Sequence, residues 1–148
     1  MDTKRIMVIC LILITVFASA TVVFSADTAK VGGIDFNIPD GFSENVSLAQ
    51  DGLEGTSDNN FNVTGSMKVF FKGEDILVIL VMEFDSADEV KSVMDNASEM
   101  ATAQTYNGKE GWFSDEGQGA YSFVYSQDNK IISISTNDKN IFESVIPK

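Results

Sequence analysis

Carboxylates are the only acid–base groups that this sequence supplies in quantity. It contains no histidine, and its single cysteine, Cys10, lies within an apolar N-terminal run. Imidazole, thiol and disulfide chemistry are therefore absent from the rest of the chain. Zinc and other transition metals lose their commonest ligands at the same time. Paired carboxylates can hydrolyse glycosidic bonds without other groups, but so acidic a chain offers many arbitrary pairs. Glu83 is the most unusual carboxylate by position, since it directly follows an apolar run. The solvent-side end of a strand is the plainer account of it.

Calcium is the remaining metal to test. Asp51, Glu54 and Asp58 fall within eight residues, and Asp115-Glu116 precede Gly117. A calcium loop of the EF-hand type needs acidic or amide side chains at its first, third and fifth positions. Counted from Asp51, the third position is Leu53, and the match fails. These acids read as solvated surface charge. No phosphate-binding G-x-x-x-x-G-K loop and no G-x-G-x-x-G fingerprint occurs. The patterns assign no catalytic residue, no metal and no cofactor.

Two further groups of residues carry candidate chemistry. Trp112 and Phe113, with Tyr121 and Tyr125 on a following strand, have the makings of an aromatic platform for a sugar or another flat ligand. The same residues at strand spacing also build core, and Trp112 is the best single ligand candidate because charges flank it. Asn45-Val46-Ser47, Asn62-Val63-Thr64 and Asn96-Ala97-Ser98 are N-x-S/T triplets. In an exported protein Asn45, Asn62 and Asn96 are thus candidate glycosylation sites, although so short a motif also arises by chance.

Export is what the N-terminus indicates. Lys4 and Arg5 precede an apolar run from Ile6 to Phe24. Ala18-Ser19-Ala20 has the form of a signal cleavage site, with a weaker second choice after Ser25. The run is 19 residues long, enough for an uncleaved membrane anchor. Either way residues 1–26 form a signal peptide or an anchor, and the domain lies outside the cytoplasm. A membrane contact is expected only through residues 6–24, if uncleaved. Cys10 follows Ile9 rather than the small residue that lipidation prefers, so it reads as one more apolar side chain.

Setting aside residues 1–26 removes Lys4, Arg5 and Asp2 and takes the net charge from −12 to −13, with 8 basic and 21 acidic side chains. Such a surface repels phosphate backbones, which argues against a nucleic-acid partner.

The elements that position these residues can be read from hydrophobic period and turn signals. Residues 27–33 read as a linker, and Ile34, Phe36 and Ile38 alternate as a first strand closed by Pro39-Asp40-Gly41. Phe42 to Gly65 is polar and irregular, and is expected to be a long loop. Met67–Lys72 alternates; Gly73-Glu74-Asp75 turns; Ile76–Met82 is a continuous apolar run that predicts a strand covered on both faces. Ser86 with Glu89 is a capping box, and Val90, Val93, Met94, Ala97 and Ala101 recur at helical spacing. Strands over 109–113, 120–126 and 130–136 come next, then a last helix capped by Asn137.

The order β-β-β-α-β-β-β-α predicts one α+β domain over 34–148, a mostly antiparallel sheet of about six strands with two helices. If both helices pack on one face, the other needs cover from the 42–65 segment or from another copy.

Three stretches, I-D-F-N-I-P-D-G-F (34–42), N-G-K-E-G-W-F (107–113) and K-I-I-S-I-S (130–135), resemble small exported or membrane-associated domains of methanogenic archaea. The resemblance spans most of residues 31–146 and implies an archaeal envelope or extracellular setting. It carries no catalytic residue across. The sequence therefore predicts a non-enzymatic binding or envelope-associated domain, with a cell-envelope component or another exported protein as partner. A carboxylate-only hydrolase of envelope glycans is the first alternative. A surface protein that self-associates as a homo-oligomer is the second.

Overall fold

The apolar run after Gly73 is the middle of the protein. A computed structural model describes residues 23–25, 27–57, 60–97 and 101–148. In it β6 (Asn62–Lys72) and β7 (Asp75–Phe84) form a long antiparallel hairpin across the Gly73-Glu74 turn. On the other side of β7 lies β11 (Lys130–Thr136), then outward β10 (Ala120–Gln127), β9 (Lys109–Gly117) and β8 (Thr102–Tyr106). Beyond β6 come β4 (Ser43–Asn45) and β1 (Val23–Ser25), while β5 (Gln50–Thr56) pairs with the remaining length of the same β6 edge. A separate hairpin of β2 (Thr28–Val31) and β3 (Ile34–Asn37) lies over this sheet.

Every described ladder is antiparallel, and the described helices are α1 (Ala87–Ala97) and the short α2 (Phe142–Val145). The α+β class and the antiparallel pairing are as expected. The strand count is not: a nine-stranded sheet and a two-stranded one replace about six strands, in a different order.

Strand period two sends alternate β7 side chains to opposite faces. Leu77, Ile79 and Val81 point to one face, where they join Phe70, Phe123, Tyr125, Ile132 and Ile134. The β2–β3 hairpin covers this core face with Ala29, Val31 and Phe36, and α2 adds Phe142 and Val145. Val78 and Phe84 are buried on the other face. There α1 packs Val90, Val93 and Met94 against Phe84, Met82, Ile131 and Val124, while Leu48 meets Met67, Val69 and Val78. The two helices therefore pack on opposite faces, and the condition that would leave one face bare does not arise.

Three expectations need correction, each for a physical reason. Residues 27–33, read as a linker, form β2 and its turn; Ala29 and Val31 are buried between exposed Thr28 and Lys30, too short an alternation to stand out. The expected 42–65 loop contains β4, a 3-10 turn at Val46–Leu48, β5 and the start of β6. Its β5 is exposed along its whole length, so backbone pairing alone makes it a strand and no apolar period betrays it. The helical spacing of α1 runs on to Ala101, yet Ala101 is not helical and the chain re-enters the sheet at Thr102 as β8. Thr102 and Thr105 favour a strand, and Asn107-Gly108, both at positive φ, form the two-residue turn that pairs β8 with β9.

The caps match their local signals only in part. The Ser86 hydroxyl accepts from the Glu89 amide at 3.3 Å, but Glu89 Oε2 is buried with no hydrogen-bond partner among the described residues. Asp138, not Asn137, caps the 3-10 turn Lys139–Ile141 that leads into α2, through a 3.0 Å bond from the Asn140 amide, and α2 itself has no side-chain cap. Asn137 instead accepts from Ile76 N and donates to the Glu74 carbonyl, which ties the β6–β7 turn to the end of β11. The expected signal segment lies outside the described residues up to position 22. Cleavage after Ala20 would retain β1, and cleavage after Ser25 would remove it.

The core beside Gly111 yields two predictions. A Cβ there would collide with the Val124 carbonyl and stand 2.8 Å from Phe123 Cζ and 2.9 Å from Tyr125 Cβ. Gly111→Ala should therefore destabilise by about 1–3 kcal/mol, read from the urea midpoint, since backbone has to move. An unchanged midpoint would show that β9 is looser than this.

The neighbouring Tyr125 is fully buried, its hydroxyl has no partner among the described residues, and burial raises its pKa to about 12. The unfolded chain ionises near 10, so its stabilising share is complete below pH 10 and is lost as pH rises from 10 to about 12. Tyr125→Phe should abolish that alkaline loss. It should also raise stability by about 1 kcal/mol at pH 7, because an unsatisfied buried hydroxyl disappears.

Candidate functional site

The sheet register sorts the candidate residues before any chemistry is considered. Trp112 opposes Ala103 on β8 and Val124 on β10. Phe113 opposes Thr102 and Phe123. Adjacent strand residues face opposite ways, so Trp112 lies on the α1 face and Phe113 on the core face. Tyr121 and Tyr125 share the face of Phe113, not that of Trp112. The expected four-membered aromatic platform is therefore divided. Phe113 stacks on Tyr121 at 6.2 Å and meets Phe142 edge-on at 6.0 Å. It also lines a small cleft of about 470 Å³ with Tyr106, Asp115 and Lys139.

Trp112 has a cleft of its own. Met94 from α1, Ala103, Gln104 and Thr105 from β8, and Glu110, Gly111 and Trp112 from β9 enclose about 660 Å³. The indole is half-buried; by register Ala103, Thr105 and Glu110 share its face, setting a methyl, a hydroxyl and a carboxylate near it, whereas the Gln104 side chain lies on the core face. Binding sites commonly combine an apolar lining with a few polar groups that fix orientation.

A second concavity, of about 800 Å³, opens across β5, β6 and β7. Glu54 opposes Thr64, and Thr64 opposes Glu83. The three lie in one cross-strand row on the core face, with Thr56, Asn62 and Asp85 beside them. Strands two apart are about 10 Å apart, so the Glu54 and Glu83 backbones flank Thr64 at that span.

The row continues past β7. Glu83 opposes Lys130 and is ion-paired to it at 3.2 Å. Lys130 also donates to the Gly32 carbonyl at 2.8 Å, and next to it Lys109 donates to Gln127 at 3.3 Å. One line of polar side chains thus borders the apolar core, and Lys130 pins the β2–β3 turn to it.

The other sequence candidates are scattered. Asp51 accepts from the Ser66 hydroxyl at 2.6 Å and belongs to the β5 bulge, while Asp58 lies outside the described residues. Asp115 Oδ1 accepts from Gly117 N at 3.0 Å and shapes the β9–β10 turn. No cluster of three acidic side chains able to hold a metal ion occurs among the described residues. Asn45 is buried, its Oδ1 accepting from Ser47 N at 3.1 Å. Asn62 and Asn96 are exposed; their amides donate to Asp85 at 3.3 Å and to the Ser92 carbonyl at 3.0 Å.

No family model, curated protein or solved structure matches this chain. No described helix is long and apolar enough to cross a membrane.

The Glu54–Thr64–Glu83–Lys130 row does not emerge from residues taken singly. Its signal is the turn: with Gly73-Glu74 as a two-residue loop, Thr64 must oppose Glu83. Lys130 is only partly exposed and holds two partners. Lys130→Met should cost about 2 kcal/mol in urea unfolding, whereas Glu83→Gln should cost less than half of that, because the Gly32 contact survives. Equal losses from the two variants would mean that the ion pair, not the hairpin contact, is what counts.

Proposed function

We propose that this protein is a non-enzymatic binding module that works outside the cytoplasm as an accessory domain of the cell envelope. Its ligand site is the Trp112 cleft. The setting of Trp112 carries the reading: a half-buried indole shares about 660 Å³ with Met94 and Ala103, while Thr105 and Glu110, on the same face, supply polar atoms beside it. An indole face covers a flat ligand at low entropic cost, and donors and acceptors at its rim select hydroxyl-bearing ones. A saccharide of the envelope meets that description. The excess of acids argues against polyanionic ligands. The extracytoplasmic archaeal setting rests on the N-terminal segment and on the three motif stretches.

A second reading, a hydrolase working with carboxylates alone, draws on the polar groove. Glu54 and Glu83 flank Thr64 there with backbones about 10 Å apart, close to the roughly 6.5–9.5 Å that separates the carboxyl groups of inverting glycosidases. Against it, Glu83 is committed to Lys130.

Trp112 is the single tryptophan of the chain, so its emission reports on the cleft directly. Titration with soluble fragments of envelope polysaccharide should change that emission saturably, and Trp112→Ala should abolish cosedimentation with isolated envelopes. Cosedimentation that survives Trp112→Ala would overturn the assignment of the cleft. Release of reducing sugar that both Glu54→Gln and Glu83→Gln suppress would replace binding with hydrolysis.

A further inference from the structure

Two edge strands of the large sheet, β5 and β8, are guarded differently. At β5 the outward edge carries Asp51 and Glu54, Gly52 and Gly55, and a register shift between Gln50 and Leu53. Charge and bulges of this kind discourage another strand from pairing. At β8 the edge reads Thr-Ala-Gln-Thr-Tyr, with no charge, proline, glycine or bulge. Thr102 to Thr105 are exposed, and β8 pairs with β9 alone among the described strands.

The hairpin geometry fixes which backbone groups that edge offers. In a two-residue hairpin the residues flanking the turn form a hydrogen-bonded pair, and such pairs alternate along the ladder. Tyr106 opposes Lys109 and Gln104 opposes Gly111, so Tyr106, Gln104 and Thr102 direct their amides and carbonyls to β9. Ala103 and Thr105 direct theirs outward.

We propose that β8 pairs with β8 of a second copy of this chain, antiparallel, about a two-fold axis through Gln104. In that register Ala103 opposes the partner's Thr105, and every outward amide and carbonyl of both residues meets a complementary group. Gln104 opposes itself as the pair that makes no hydrogen bond on this side, and Thr102 opposes the partner's Tyr106. Residues of like parity stay on like faces, so the core face and the α1 face each run on into the partner.

Charge favours a second copy at this place over others. Each chain carries −12, and like-charged surfaces repel, but the paired segment is neutral from Thr102 to Tyr106. Since Ala103 and Thr105 also line the Trp112 cleft, the pairing sets two clefts side by side, each bordered by the partner's β8. The pairing does not depend on what the cleft binds.

Cysteine cross-linking of the full chain in a Cys10→Ser background tests the register. Non-hydrogen-bonded antiparallel pairs have Cα atoms about 4.5 Å apart, within disulfide reach. Gln104→Cys should therefore form a covalent dimer under mild oxidation. Thr102→Cys should not, because it stands about 13 Å from its symmetry mate along the strand. At least about a tenfold difference in rate is expected. Thr105→Pro, which removes an outward donor, should suppress the Gln104→Cys dimer while leaving the circular dichroism spectrum unchanged. Equal rates at 102 and 104 would overturn the proposal. So would the absence of a dimer from Gln104→Cys, the result expected if this edge instead receives a strand from a different protein.

Discussion

A strand that is apolar on both faces has to be covered twice, and β7 imposes that requirement on everything around it. Leu77, Ile79 and Val81 look one way and Val78 and Phe84 the other. The chain answers with two different covers. A β-hairpin and a terminal helical turn close the first face, and the amphipathic α1 closes part of the second. Neither cover is large. Each part of the first is held by specific polar contacts at its margin: Lys130 to the Gly32 carbonyl for the hairpin, and Asn107 to the Glu143 and Ile146 carbonyls for the C-terminal turn. Long cationic and amide side chains suit this role, since their stems pack on apolar surface while their heads find carbonyls.

The same requirement explains where polarity gathers. The hairpin covers only part of the core face, and the row just beyond it switches from apolar to Glu54, Thr64, Glu83, Lys130, Gln127 and Lys109. Signs along the row are complementary at its centre, where Glu83 meets Lys130, and uncompensated toward β5, where Glu54 and Asp85 share an open groove. That groove is the edge of a core, and its acids are placed by the end of burial. The Trp112 cleft differs in kind. A large aromatic ring is left half-buried beside a methionine although fully buried positions exist elsewhere on the sheet. Ring area left in reach of solvent is more informative about ligands than carboxylates at a sheet end.

Much of the frame was legible because its signals are local. The continuous run Ile76–Met82, the Gly73 and Asn107-Gly108 turns and the start of α1 each depend on a few neighbouring residues, and each stands where the sequence puts it. The illegible elements depend on pairing. β5 has no buried residue to mark it, and β2 has only two. β8 comes after a helical stripe whose period Ala101 happens to continue. The candidate site shows the same division. Trp112 was legible as a single conspicuous residue, but its neighbours were not. Tyr121 and Tyr125 are close in sequence and on the opposite face, whereas Met94 and Ala103 reach it only through the fold. A surface built on a sheet is assembled across strands, and register is the information that a single strand lacks.

Register also connects the chemistry of the cleft to the edge beside it. A strongly acidic surface keeps copies apart over most of the molecule, since repulsion acts over roughly a Debye length, about 8 Å at physiological salt. A neutral five-residue edge in that surface is where close approach is least opposed. Side-chain charge would have been the simplest guard for β8, as Glu54 is for β5. It would also have stood in the Trp112 cleft, where Ala103 and Thr105 now leave room. An open cleft and a bare edge therefore involve the same strand, whose small side chains leave room on one face while its side carries no charge.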